Sequence, residues 1–250
     1  MYMAGHSQFK NIMHRKGAQD KKRARIFARL SREIMVAAKT GGADPSSNPR
    51  LRTALVAARS ANMPKDNIDR AVKKATSEAD ATNFEEIRYE GYGAGGVAVI
   101  VEVLTDSRNR TASELRSYFS KNSGALGETG SVSFMFDHIG MLKFPKTIEF
   151  DTLFEEAVNA GADNVEEEAD HHMVTCAYEN FAAVRDHLTE KLNDPLEATI
   201  AWQPKTSTPV DENTARTLFK MIDLIEDSDD VQNVFANFDI TDDVLEKISS

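Results

Sequence analysis

Positive and negative charge are segregated along this chain, and the separation limits how it can be built. Residues 1–74 hold 17 Lys and Arg against 5 Asp and Glu, a net of +12, whereas residues 75–250 hold 13 against 35, a net of −22. The overall charge of −10 conceals this split. Such a reversal of sign implies separate modules, a basic one suited to phosphates and an acidic remainder that phosphates would repel. With 250 residues, 41% of them hydrophobic, there is material for two or three cores.

Hydrophobic spacing outlines the modules. In KGAQDKKRARIFARLSREI, residues 16–34, Ile26, Leu30 and Ile34 recur every four residues with Phe27 and Ala37 beside them, which predicts a helix capped by Asp20. Lys22, Arg25, Arg29 and Arg32 fall nearly opposite that stripe and are expected to face outward. Asn48-Pro49 predicts the start of a second helix ending near Ala61, and Asp66 the cap of a third whose Ile68, Ala71, Val72 and Ala75 face inward. Residues 1–82 thus read as a basic helical bundle.

From residue 83 the period changes. VAVIVEVL (97–104) reads as a buried strand, 110–120 as a helix and SVSFMF (131–136) as an alternating strand. The segments 139–144, 150–161, 164–169, 171–178, 180–192 and 196–202 then spell β-α-β-β-α-β. A short strand at 206–210, a helix over 211–226 and a strand through 232–238 would complete the interrupted first half. The expected fold is α+β and multidomain: an N-terminal all-helical bundle followed by two ferredoxin-like (βαββαβ) domains, one inserted in the other. The expected boundaries are 1–82, then 83–137 plus 205–250 for the discontinuous domain, and 138–204 for the acidic insertion.

Motifs for small-molecule chemistry fail on context. GYGAGG (91–96) fits G-x-G-x-x-G but precedes a strand, where a dinucleotide site needs a helix. GALGETGS (124–131) lacks the lysine of a phosphate-binding loop and reads as a turn. His171 and His172 are neighbours on a strand and point to opposite faces, so they do not share an ion. EDSDD (226–230) lacks the spacing of a calcium loop and reads as the solvated end of a helix. The single cysteine, Cys176, forms no internal disulfide and fits a reducing compartment. These observations predict a cytoplasmic protein that is not an enzyme, with no catalytic residue, metal, cofactor, membrane partner or small-molecule substrate.

The basic segment does ask for a partner. Residues 10–32 contain nine basic groups and one acidic group, so they lack the i,i+4 carboxylates that would pair most of them. A phosphate backbone accounts for this, since each contact releases counterions without reading a base. An acidic protein surface, or the chain's own acidic domains, would serve the same charges.

The same segment, MAGHSQFKNIMHRKGAQDKKRARIF (3–27), resembles the start of the YebC family. So do DPSSNPRLRTAL (44–55), ANMPKDNIDRAVKKA (61–75), YEGYGAGGVAVIVEVLTDSRNRTASELR (89–116), LGETGSVSFMF (126–136) and DDVQNVFANFDI (229–240). The resemblance implies a helical domain followed by two α/β domains. It also implies control of gene expression, by DNA-binding transcriptional regulation or, as in mitochondrial relatives, by translational activation, bacterial members being linked to ribosomes stalled on proline-rich sequence. The chain departs from the family pattern at Gln8-Phe9, where Lys-Trp is usual, at Ser107, where Asn is usual, and in the Met1-Tyr2 that precedes Met3.

The expected phosphate contacts are Lys10, Arg15, Lys16, Lys21, Lys22, Arg25, Arg29 and Arg32, with His6, Ser7, Phe9 and His14 as nearby base or sugar contacts. Arg52, Arg59, Lys65, Arg70, Lys73 and Lys74 extend the footprint. The expected partner is DNA or ribosomal RNA met through the N-terminal domain, the ribosome being the larger assembly in the second case. A metal-assisted nuclease is the remaining class, and no spaced carboxylate cluster supports it.

Overall fold

The structure, a computed structural model, describes residues 19–77 and 83–249. Helix α1 (Gln19–Gly41) is followed by α2 (Pro49–Ser60) and α3 (Lys65–Ala75), giving the basic region the three helices its periodicity predicts. Helix α1 is already formed at Gln19, so Asp20 lies inside it rather than at its cap. Burial along its stripe rises from Ile26, which is exposed, through half-buried Leu30 to Ile34, which is fully buried. Ala37, Leu51, Ala54, Leu55 and Ala58 are buried with it.

The chain divides into two compact units. One contains residues 19–29, 83–137 and 203–249; the other contains 30–77 and 138–202. Helix α1 contributes residues 19–29 to the one and residues 30–41 to the other.

In the first unit, β1 (Glu85–Tyr92) and β2 (Ala98–Thr105) form an antiparallel hairpin, followed by α4 (Arg108–Lys121) and a two-residue strand β3 (Ala125–Leu126). The sheet runs β3-β1-β2-β9, its last strand β9 (Val231–Ala236) returning from the far end of the chain. Strand β2 is buried along nearly its whole length, as an uninterrupted apolar run predicts. Helix α4 and helix α7 (Glu212–Glu226) pack on the sheet through Leu115, Phe119, Leu218 and Ile222 against Val99, Val101 and Val234.

Two expectations fail in this unit. SVSFMF is not a strand: Ser133–Met135 is a 3₁₀ turn, and only Phe136 enters strand β4 (Phe136–Pro145). The backbone N–H groups of Val132 and Ser133 donate to the buried Glu90 carboxylate, each at 2.9 Å, instead of to a neighbouring strand. The missing strand is β1, whose glutamates mask the alternation of Ile87 and Tyr89. The unit therefore reads β-β-α-β and then α-β, not β-α-β-β-α-β. The glycine run starts in the last two residues of β1 and continues through the β1–β2 connection, with Gly95 and Gly96 at φ of 72° and 75°, left-handed values that glycine adopts without strain.

The second unit carries the acidic insertion. Strand β4, α5 (Phe150–Ala160), β5 (Asn164–Glu167), β6 (His171–Ala177), α6 (Phe181–Leu192) and β7 (Glu197–Pro204) follow in the expected order. They build a sheet β5-β6-β4-β7 in which β6 is antiparallel to both β5 and β4. Leu142, Phe144, Val174 and Cys176 face Leu153, Ala157, Val184 and Leu188 of the two helices. Back in the first unit, short strands β8 (Thr208–Pro209) and β10 (Phe238–Asp239) pair in parallel apart from either main sheet, and α8 (Asp242–Ser249) is the last helix described. No helix among the described residues is long and apolar enough to cross a membrane.

Candidate nucleic-acid interface

The basic surface is built by two asparagines at the ends of α2. Asn48, 4% exposed, accepts from the Leu51 N–H at 3.0 Å and so caps the helix. Its amide also donates to the carbonyls of Ala37 and Gly42, both at 2.7 Å, which ties the end of α1 to the start of α2. At the other end Asn62 adopts a left-handed φ of 55°, the Met63 N–H returns to the Ala58 carbonyl and the Asn62 N–H to that of Arg59. This is the Schellman pattern, and it buries Met63 against the bundle.

Pro64 then opens α3. Pro64 holds the N-cap position without a side-chain capping bond, and Asp66 lies in the first turn instead, while Lys73 and Lys74 occupy the last turn. Both placements suit the helix dipole. Of the face expected to turn inward only Ala71 is buried, and Ile68, Val72 and Ala75 are half-covered. Between α2 and α3 lies an open groove of about 610 Å³. Leu51, Leu55, Met63, Ile68 and Val72 line it, and Arg59, Lys65 and Lys73 stand at its rim with Asp69. Arg70 and Lys74 are exposed on the same helix.

Other expected contacts are placed differently. Arg52 donates to the carbonyls of Pro45 and Ser46, each at 3.2 Å, and lies 3.9 Å from Asp186, so it braces the loop before α2. Arg25 pairs with the Asp227 carboxylate, and Arg29 donates to the Glu226 carbonyl. Arg25, Arg29 and Arg32 are half-buried rather than facing outward. The helix pattern identified the face opposite the aliphatic stripe, but not the end of α7 that meets it. The available signal was EDSDD, a carboxylate run that alone reads as solvated. His6, Ser7, Phe9, Lys10, His14, Arg15 and Lys16 lie outside the described residues, as do the side chains of Lys21 and Lys22.

Other polar clusters have structural partners. Asp230 accepts from Arg110 at 2.7 Å, Thr111 at 2.7 Å and Thr105 at 2.9 Å, locking the end of β2 to the start of α4. His172 is buried with Nε2 3.0 Å from the Ile148 carbonyl, while His171 sits 2.6 Å from Asp170. Burial pushes the Cys176 thiol up to about 11, which leaves it protonated at neutral pH. Among the described residues no three His, Cys, Asp or Glu side chains converge as a metal site.

Comparison with known proteins places this surface in context. Residues 7–78 match the family model described as the TACO1/YebC protein N-terminal domain, and residues 84–238 that of the TACO1/YebC second and third domain. The chain belongs to the TACO1/YebC family. The model matched over 84–238 is named for transcription regulation, not for an enzymatic activity. The chain is also similar to the crystal structure of the conserved hypothetical protein Aq1575 from Aquifex aeolicus. Identity is 41%, the TM-score is 0.77, and the match covers 91% of this chain and 95% of that one. Within the TACO1/YebC chain, the groove and its cations fall entirely in the segment matched as the N-terminal domain.

Proposed function

We propose that this TACO1/YebC protein is a non-enzymatic, nucleic-acid-binding regulator of gene expression that acts in the cytoplasm on DNA through its N-terminal helices. The observation that supports this most is the set of exposed cations, Arg59, Lys65, Arg70, Lys73 and Lys74, on the last turn of α2 and along α3. Only Asp66 and Asp69 of α3 oppose them in sequence. Lysines and arginines crowded in this way favour a polyanion and gain affinity by releasing its counterions. The nine basic residues within 10–32 add to this excess of positive charge in the sequence. Contacts of this kind fix position on a backbone without reading sequence.

A second reading, an RNA-directed translation factor at the ribosome, is favoured by the net charge of −22 over residues 75–250. That acidity suits a target met on one side better than one that is wrapped. The sheet order β5-β6-β4-β7 supports reading residues 138–204 as a ferredoxin-like unit that leaves recognition to the helices.

Ultraviolet crosslinking of the full chain in cells, followed by sequencing of the attached nucleic acid, tests both readings. Recovered promoter DNA supports transcriptional action, and ribosomal RNA supports the alternative. The R59E/K65E/R70E/K73E variant is expected to lose the crosslink while keeping the wild-type melting temperature. A crosslink unchanged by these reversals rejects this surface as the interface.

A further inference from the structure

We infer that the acidic corner at the end of α7, residues 226–229, is a built-in competitor for the arginines of α1. The inference rests on the nucleic-acid reading above and adds regulation to it. Helix α7 ends at Glu226 with Asp227 as its cap, leaving a carbonyl-rich, negative terminus. Arg25 and Arg29 are four residues apart on α1 and so share one face. There Arg25 takes the Asp227 carboxylate and Arg29 takes the Glu226 carbonyl. A third acidic group, Asp229, acts on Arg29 from the same corner.

Two guanidinium groups facing anionic and carbonyl oxygens make the arrangement they would make with a phosphate. The corner therefore presents, within the same chain, the chemistry of the expected ligand. It does not saturate the site: Arg29 Nε is buried without an acceptor. Burial lowers the Arg29 pKa and Arg25 lowers it further, while the charges of Glu226, Asp227 and Asp229 oppose that shift. A phosphate that displaces both present partners would bring an acceptor to this donor as well.

The Arg25 contact is also weak enough to exchange. The Arg25 and Asp227 side chains are 38% and 50% exposed, and solvent screens pairs of that kind. The corner thus raises the threshold for binding without closing the site. A polyanion that offers several oxygens at once displaces it, and an isolated anion does not.

The full-length E226Q/D227N/D229N variant tests this against a charge-matched control, E168Q/D242N/D243N, by fluorescence anisotropy with a duplex DNA and a single-stranded RNA oligonucleotide. The corner variant is expected to bind about three- to tenfold more tightly at low salt, as releasing the screened Arg25 pair and removing two further negative charges beside Arg29 allows. Adding R25A/R29A should cancel the gain, and the control should bind like the wild type. Binding by a corner variant where the wild type shows none also supports the inference. If the wild type binds and the corner variant binds no more tightly, or the control gains as much, the inference is overturned and the nucleic-acid reading stands. If no variant binds either oligonucleotide, the nucleic-acid reading fails and the inference falls with it.

Discussion

Two carboxylates, Asp230 and Glu90, show how single residues fix the first unit. Burial raises the pKa of each, but hydrogen bonds and charge outweigh it and both end below their ordinary values. For Asp230 the opposing groups are Arg110, Thr111 and Thr105; for Glu90 they are the backbone N–H groups of Val132, Gly130 and Ser133, with Arg88 beside them. A carboxylate whose folded pKa is depressed stabilises the fold above its unfolded pKa, about 4, and that contribution disappears as pH falls through the folded value. Urea midpoints measured from pH 7 down to pH 3 should therefore fall, and D230N and E90Q should each flatten the fall. D230A should cost about 2 kcal/mol at neutral pH, since it removes the buried acceptor shared by Thr105, Thr111 and Arg110, leaving Arg110 with Asp106 and Thr111 with Thr105 and the Ser107 carbonyl. A wild-type midpoint independent of pH would remove these groups from the account. The sequence identifies both residues as acids and gives no sign that they are buried, because their donors lie far away along the chain.

At the scale of elements, the groove depends on how α2 begins and ends. Asn48→Ala removes the cap and both carbonyl bonds, so unfolding experiments should show a loss of about 2 kcal/mol. Asn62→Gly should be nearly neutral because its φ of 55° suits glycine, whereas Asn62→Val should cost about 1 kcal/mol or more. Equal effects of glycine and valine would contradict the left-handed cap. The Asn48-Pro49 start was legible in the sequence because capping is local chemistry. The insertion was legible for a related reason: its strands and helices alternate with clear changes of period. Strand β1 was hidden because its charged residues overlie the alternation, and SVSFMF misled because its alternating pattern forms a turn around Glu90. The candidate site divides in the same way. Its cations can be read directly, but the diversion of Arg25 and Arg29 depends on a helix end nearly 200 residues further along.

For the whole molecule the governing quantity is the separation of charge, +12 before residue 75 and −22 after it. A polyanion is drawn to one segment and repelled by the rest, so the number of phosphates met should be small and countable. Each neutralised phosphate contributes about −0.9 to the slope of log affinity against log salt on duplex DNA and about −0.7 on single strands. Arg59, Lys65, Arg70, Lys73 and Lys74 alone thus predict slopes of about −4.5 and about −3.5. A steeper slope counts what residues 10–32 add. Anisotropy titrations of the full chain between 50 and 200 mM KCl measure both, and R70E/K74E should make each slope shallower by nearly two contacts. If the slope is close to zero, or if R70E/K74E leaves it unchanged, α3 does not carry phosphate contacts and its cations serve another partner.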